Sequence, residues 1–193
     1  MRLADRPGPE TEPEFSLMHP MIASWNEVAE AFGQRLEAVT AEQSDTRSPC
    51  DEWNCNELIE HTVTVQHGVG AQLGVEVPEG DAAASWSGFR EAMVAAMSAE
   101  GGLEIEIETP FGKRPLAEAM GIPTLDLLVH TWDLSRTIGH DDALPAAAVT
   151  HAFEQIKPMD AMLRGRGVFG DKIDVAADAS EQDQFIAFTG RQP

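Results

Sequence analysis

Apolar residues recur at three- and four-residue steps from about Pro20 to Ala41. Met18, Met21, Ile22, Trp25, Val28, Ala29, Phe32, Leu36 and Val39 line one wide face, which predicts an amphipathic helix. Pro20 suits its first position, where a missing N–H costs nothing. Residues 42–51 (EQSDTRSPCD) carry loop chemistry. A second helix is predicted from Asn54, whose side chain can cap it while Glu57 completes a variant of the capping box. Leu58, Ile59, Thr62, Val65 and Val69 supply its buried face, and Gly68 and Gly70 its expected end. A third helix spans about Ala83–Ala99, with Trp86, Phe89, Met93 and Met97 as its stripe and Gly101-Gly102 as its stop. The period then changes. Leu103, Ile105 and Ile107 alternate with Glu104, Glu106 and Glu108, and Thr109-Pro110-Phe111-Gly112 turns the chain, which predicts a small hairpin or extended segment.

The segment Pro123–Ile138 is the most apolar. Leu125, Leu127, Leu128, Val129, Trp132, Leu134 and Ile138 cover most of a helix's circumference, so this helix is expected at the centre, with Gly139 just past its end. A fifth helix is predicted over about Pro145–Leu163, kinked or ended by Pro158. Ile173 and Val175 suggest a short extended piece. Ser180 with Asp183 resembles a capping box for a last helix carrying Phe185, Ile186 and Phe188. Long helices, short loops and one weak strand pair predict a mainly all-α domain, a four-helix bundle with short extra helices. A Pro- and acid-rich lead over 1–15 is expected to be flexible, with one domain over 16–193.

Composition narrows the function. With 13 Lys+Arg against 33 Asp+Glu the net charge is −20, which repels nucleic-acid phosphates and anionic lipid, and no basic stripe compensates. No apolar run approaches the roughly 18 residues of a membrane span, and no apolar signal-peptide core precedes the first helix. A cytoplasmic protein that binds neither nucleic acid nor membrane is expected. Homodimers remain open, since bundles with exposed apolar edges often pair. No serine-nucleophile or phosphate-loop motif is present.

Histidines carry the candidate chemistry. Asp126 and His130, four apart on the central helix, share a face and can grip one ion. With Asp133 and Thr137 they draw a polar stripe down an apolar helix. The plain alternatives are a solvent face or a buried hydrogen-bonded pair. His61 leans toward the apolar side of the second helix, where a satisfied core histidine is the commoner outcome. If the two helices are neighbours, His61, Asp126 and His130 form a set of two imidazoles and a carboxylate that leaves coordination positions open. His67 lies near a glycine-rich helix end, while His19, His140 and His151 fall in turns or on surfaces. Cys50 and Cys55, the only two cysteines, are too few for a disulfide scaffold. With His61 they loosely suggest a zinc site, but the spacing is unusual and small buried packing residues are the default. A nucleophilic cysteine would want a cationic neighbour, and the local sequence is acidic.

Three segments together resemble the mycothiol-dependent maleylpyruvate isomerase family of the DinB-like superfamily. They are Ser48-Pro-Cys-Asp-Glu-Trp-Asn-Cys-Asn-Glu-Leu-Ile-Glu-His61, Asp126-Leu-Leu-Val-His-Thr-Trp-Asp-Leu134, and Gly167-Val-Phe-Gly170 with Phe188-Thr-Gly-Arg191. The resemblance runs from about residue 16 to nearly the C-terminus. It implies an up-and-down DinB-like four-helix bundle with a divalent metal near one end, zinc first, with nickel or iron as alternatives. His61, Asp126 and His130 stand at the family's ligand positions, Asp126 where some relatives carry the longer glutamate. It also implies attack by a low-molecular-weight thiol, mycothiol in the best-known branch, by an isomerase or S-transferase acting on a small electrophile. The isomerases proper carry a further C-terminal domain with substrate-binding arginines, for which this chain leaves little room. Asp133 is the expected outer partner of a ligating histidine. A non-catalytic metal- or small-molecule-binding stress protein of the same fold remains the alternative, and a purely structural bundle the third.

Overall fold

The computed structural model describes residues 18–50 and 53–193; the expected N-terminal lead lies outside them. Four long helices make the body: α1 (Pro20–Ala38), α2 (Cys55–Gln72), α3 (Ala82–Ser98) and α5 (Gly121–Ile138). Between α3 and α5 come a hairpin, β1 (Glu106–Thr109) and β2 (Gly112–Pro115), and a single turn, α4 (Leu116–Ala119). The strands pair antiparallel, with Glu106 opposite Pro115 and Thr109 opposite Gly112. After α5 follow α6 (Ala146–Ile156), α7 (Asp160–Gly165) and α8 (Glu181–Phe188). The mainly α-helical fold read from the sequence is the one observed. Among the described residues no helix is long and apolar enough to cross a membrane.

Spatial neighbours differ from chain neighbours. α1 packs on both α3 and α5, and α2 packs on α5. Trp25, Val28, Ala29 and Phe32 of α1 are fully buried, which is the face the periodicity marks. Trp86 of α3 packs edge-on against Phe32 and donates its indole N–H to the Ala29 carbonyl at 2.8 Å, so a large apolar body is buried without orphaning its polar atom. The Trp25 indole likewise donates to Gln66 Oε1 (3.0 Å), and Gln66 Nε2 donates to the Pro123 carbonyl (2.9 Å). One buried amide thus ties α1, α2 and α5 together. Gln66 is not among the expected core positions, since glutamine carries no apolar signal.

Several boundaries depart from expectation. The α2 helix passes through Gly68 and Gly70 and ends at Gln72, because Gly70 is a packing site: a Cβ there would stand 2.5 Å from Phe89 of α3. The expected helix over 145–163 is three pieces. Pro158 has no N–H for the ladder and sits in a 3₁₀ turn, Lys157–Met159, between α6 and α7. The 172–176 stretch forms no strand; its Ile173 N–H is taken instead by the Ala187 carbonyl of α8.

Candidate metal centre

His61 and the Asp126/His130 pair are brought together by local signals at the start of each helix and by packing between them. Asn54 caps α2, accepting from Glu57 N–H at 2.9 Å, while Glu57 accepts from Asn54 N–H at 2.9 Å. The incoming loop is pinned by backbone bonds from Cys55 N–H to Thr46 O and Asn56 N–H to Ser44 O. This sets the phase of α2, so that His61 faces α5 nearly two turns in. On α5, Asp126 and His130 stack one turn apart.

Asp126 Oδ1 lies 3.5 Å from His61 Nε2 and 3.5 Å from His130 Nε2. One candidate donor atom from each of the three residues falls within 4.8 Å of the others. A direct ion pair would close to about 2.8 Å. Two donors around a tetrahedral ion at about 2.1 Å stand about 3.4 Å apart, close to both Asp126–histidine distances. Asp126 Oδ2 is buried and has no partner among the described residues. Donor types, spacing and an orphaned carboxylate oxygen all fit a divalent cation.

Electrostatics agree. Burial pushes the Asp126 carboxyl up, but hydrogen bonds from His130 and His61 and their charge hold it down at about 2. Burial opposes charge on His130 too, yet bonds to Asp126, Asp133 and Cys50 raise its pKa well above the usual histidine value. Without a metal, the two flanking carboxylates favour the charged form of His130. A divalent cation would take the place of the proton on Nε2.

The other face of His130 meets Asp133. Their Nδ1···Oδ2 distance is 2.8 Å and Asp133 is 0% exposed. The polar stripe on α5 is therefore an interior feature, with Asp133 and Thr137 buried; a solvent face is excluded. Asp133 also accepts from Arg191, Nε to Oδ1 at 2.6 Å and Nη2 to Oδ2 at 2.8 Å. Burial alone would raise its pKa, and the His130 hydrogen bond and the Arg191 charge bring it below the usual carboxylate range. Cys50 Sγ, half-buried, reaches Asp133 Oδ2 at 3.3 Å and receives Arg191 Nη2 at 3.4 Å. Its cationic neighbour comes from 141 residues away, beyond any local reading of an acidic segment. Cys50, His130 and Asp133 also lie close enough to share an ion, but the Arg191 cation already fills that position. Cys55 is fully buried beside the core, and burial pushes its thiol pKa up, as suits a packing residue.

The three candidate ligands open onto a cavity of about 490 Å³. Trp53 stacks on His61 with ring centroids 4.3 Å apart. Leu125, Val129, Leu163 and Phe169 wall the cavity, and Phe111 from the hairpin turn, Ile122, Met162 and Val168 ring its mouth. Arg166 lies 4.7 Å over the Phe111 ring. Periodicity marks Leu125 and Val129 only as helix-face residues and Phe111 only as part of a turn; exposed apolar residues from four separate segments give no common local signal that they line one cavity.

Residues 25–105 match the family model of the mycothiol maleylpyruvate isomerase N-terminal domain. An uncharacterized protein found in two strains of Mycobacterium tuberculosis, CDC 1551/Oshkosh and ATCC 25618/H37Rv, is 32% identical over 181 residues, 90% of this chain and 98% of the relative. The chain belongs to the mycothiol maleylpyruvate isomerase N-terminal domain family. No solved structure matches it significantly. The span matched by the family model carries Cys50, Trp53 and His61, while Asp126, His130, Asp133 and Arg191 lie beyond it. The remaining histidines of this family member stay apart from the centre. His19 caps α1 by accepting from Met21 N–H, His67 packs on Phe89, and His151 pairs with Gln155.

Proposed function

We propose that this protein is a divalent-metal-dependent thiol isomerase or S-transferase, with His61, Asp126 and His130 as the metal ligands and an exogenous low-molecular-weight thiol of the mycothiol type as co-substrate. The supporting observation is the convergence of these three side chains, the first two 65 positions apart in the chain, on an apolar-walled cavity. Membership in a mycothiol-related family points the same way.

Zinc, or nickel or iron, would bind a thiol and lower its pKa from near 8.5 while polarising an oxygen on the electrophile. The protein's own residues set the stage. Asp133 holds His130 Nδ1, so that Nε2 is the atom offered to the site. Trp53 fixes the His61 ring by stacking. The apolar walls exclude water, which strengthens every polar interaction at the floor and favours an electrophile with an uncharged or apolar body. For a conjugated alkene, the sulfur–carbon bond forms, the π pair moves to the far carbon, and that carbon takes the proton the thiol releases. An isomerase expels the thiol again after bond rotation; a transferase keeps the adduct.

Elemental analysis of protein purified without a metal-affinity tag should find about one divalent ion per chain, lost in His61→Ala and His130→Ala. Consumption of an electrophile panel should require an added small thiol and should vanish in His130→Ala. A Cys50→Ser/Cys55→Ser double variant should keep most activity, since serine preserves a donor to Asp133. Loss of activity in the folded double variant, with His130→Ala still active, would assign a cysteine nucleophile instead. Retained metal with no thiol-dependent turnover across the panel would assign the non-catalytic binder.

A further inference from the structure

Arg191 reaches the interior from the segment after α8, and the backbone is built for that reach. Gly190 has φ +92°, and a Cβ on it would stand 2.9 Å from the Cα and carbonyl carbon of Gly170 and 3.0 Å from the Asp171 carbonyl oxygen. The two backbones cross where only glycine fits. The crossing turns Arg191 inward, and its N–H bonds to the Ile186 carbonyl at 3.2 Å. Its guanidinium then grips both oxygens of Asp133 as a fork, at 2.6 and 2.8 Å. Burial weakens the Arg191 charge, and the Asp133 carboxylate more than restores it.

We propose that Arg191 is a positioning residue for the candidate metal centre: its two-point grip fixes the plane of the Asp133 carboxylate, so that Oδ2 receives His130 Nδ1–H and His130 Nε2 is aimed at Asp126 and His61. The metal role of that centre rests on the reading above; the positioning of His130 does not. Asp133 accepts from three side chains, Arg191, His130 and Cys50. Arg191 is the only one of them that touches both oxygens, so it holds the carboxylate plane at two points while the other two hold it at one. A carboxylate free to turn offers His130 a weaker and more mobile acceptor, and the ring then loses its single orientation. Lysine keeps the charge but presents no fork.

Two variants, Arg191→Lys and Arg191→Met, test this with two readouts. The first is zinc affinity by chelator competition. Both variants should bind Zn²⁺ about 10- to 100-fold more weakly, the loss typical when the outer partner of a ligating histidine is disturbed. The second is the His130 Nδ1–H proton in the metal-free protein, observed by NMR. Wild type should show it shifted downfield and protected from exchange with water, and both variants should lose that protection. If Arg191→Met does not fold, Arg191→Lys decides. A lysine variant that matches wild type in both readouts overturns the proposal, because charge alone would then suffice. So does a loss of zinc affinity with the Nδ1–H signal unchanged. Wild type that binds no zinc while the proton behaves as described would sink the metal reading and leave the positioning role standing.

Discussion

His67 packs its ring against an apolar neighbour, Phe89. The two meet edge-on at 4.5 Å, the His67 Nε2 is buried without a partner among the described residues, and burial lowers the imidazole pKa from 6.5. The unfolded chain therefore takes up a proton at this residue at a higher pH than the folded protein does. Between the two pKa values the unfolded state binds more protons, so stability rises with pH there and falls on acidification through about 6.5. Replacing His67 with Phe removes this dependence. Urea midpoints at pH 7.5 and 5.5, with chelator present, should drop less in His67→Phe than in wild type; an equal or larger drop would show that the buried imidazole is not the cause. The residue scale is also where the sequence is most unevenly legible. His61, Asp126, His130 and Asp133 can be read because spacing on a helix is a local property and the family motifs carry them. The Arg191–Asp133 fork cannot, because its two ends are 58 residues apart. Gln66 is hidden for a different reason: its polarity conceals a core position.

At the scale of elements, periodicity locates every long helix, and turn chemistry locates the hairpin. Departures come where a tertiary contact overrides a local breaker. Gly70 reads as a stop, yet α2 continues because α3 needs that space for Phe89, whose Cε2 would lie 2.5 Å from an added methyl. Gly70→Ala gains helix propensity, worth up to about 1 kcal/mol. It forces a fully buried ring to move, which costs about 1–3 kcal/mol. We expect the net to be destabilising, measured as a lower denaturant midpoint with an unchanged slope, whereas Gly68→Ala, which meets nothing within 4 Å, should be neutral or stabilising. A stabilised Gly70→Ala would mean that α2 and α3 pack with slack between them. Conversely α5, read as central from its apolar circumference, is central, and the polar stripe that runs against this reading faces the interior, with His130, Asp133 and Thr137 buried.

For the whole molecule the overriding electrostatic feature is the net charge of −20. Self-repulsion at that level opposes compaction, and salt screens it over about 10 Å at 0.1 M ionic strength. The exposed pairs that salt would weaken, such as Lys113–Glu108 and Arg114–Glu118, contribute little. The melting temperature should therefore rise with added NaCl; a fall would show that attractive surface networks outweigh the repulsion. The buried Asp133–Arg191 pair is outside the reach of this screening, and it has a consequence for biosynthesis. A ribosome delivers Asp133 well before Arg191. Until the later residue emerges and docks past Gly170, the Asp133 carboxylate has the His130 and Cys50 side chains on Oδ2 but lacks the guanidinium that grips both of its oxygens. The fork on α5 is thus completed only after a segment translated later, the one carrying Gly190 and Arg191, has docked across Gly170.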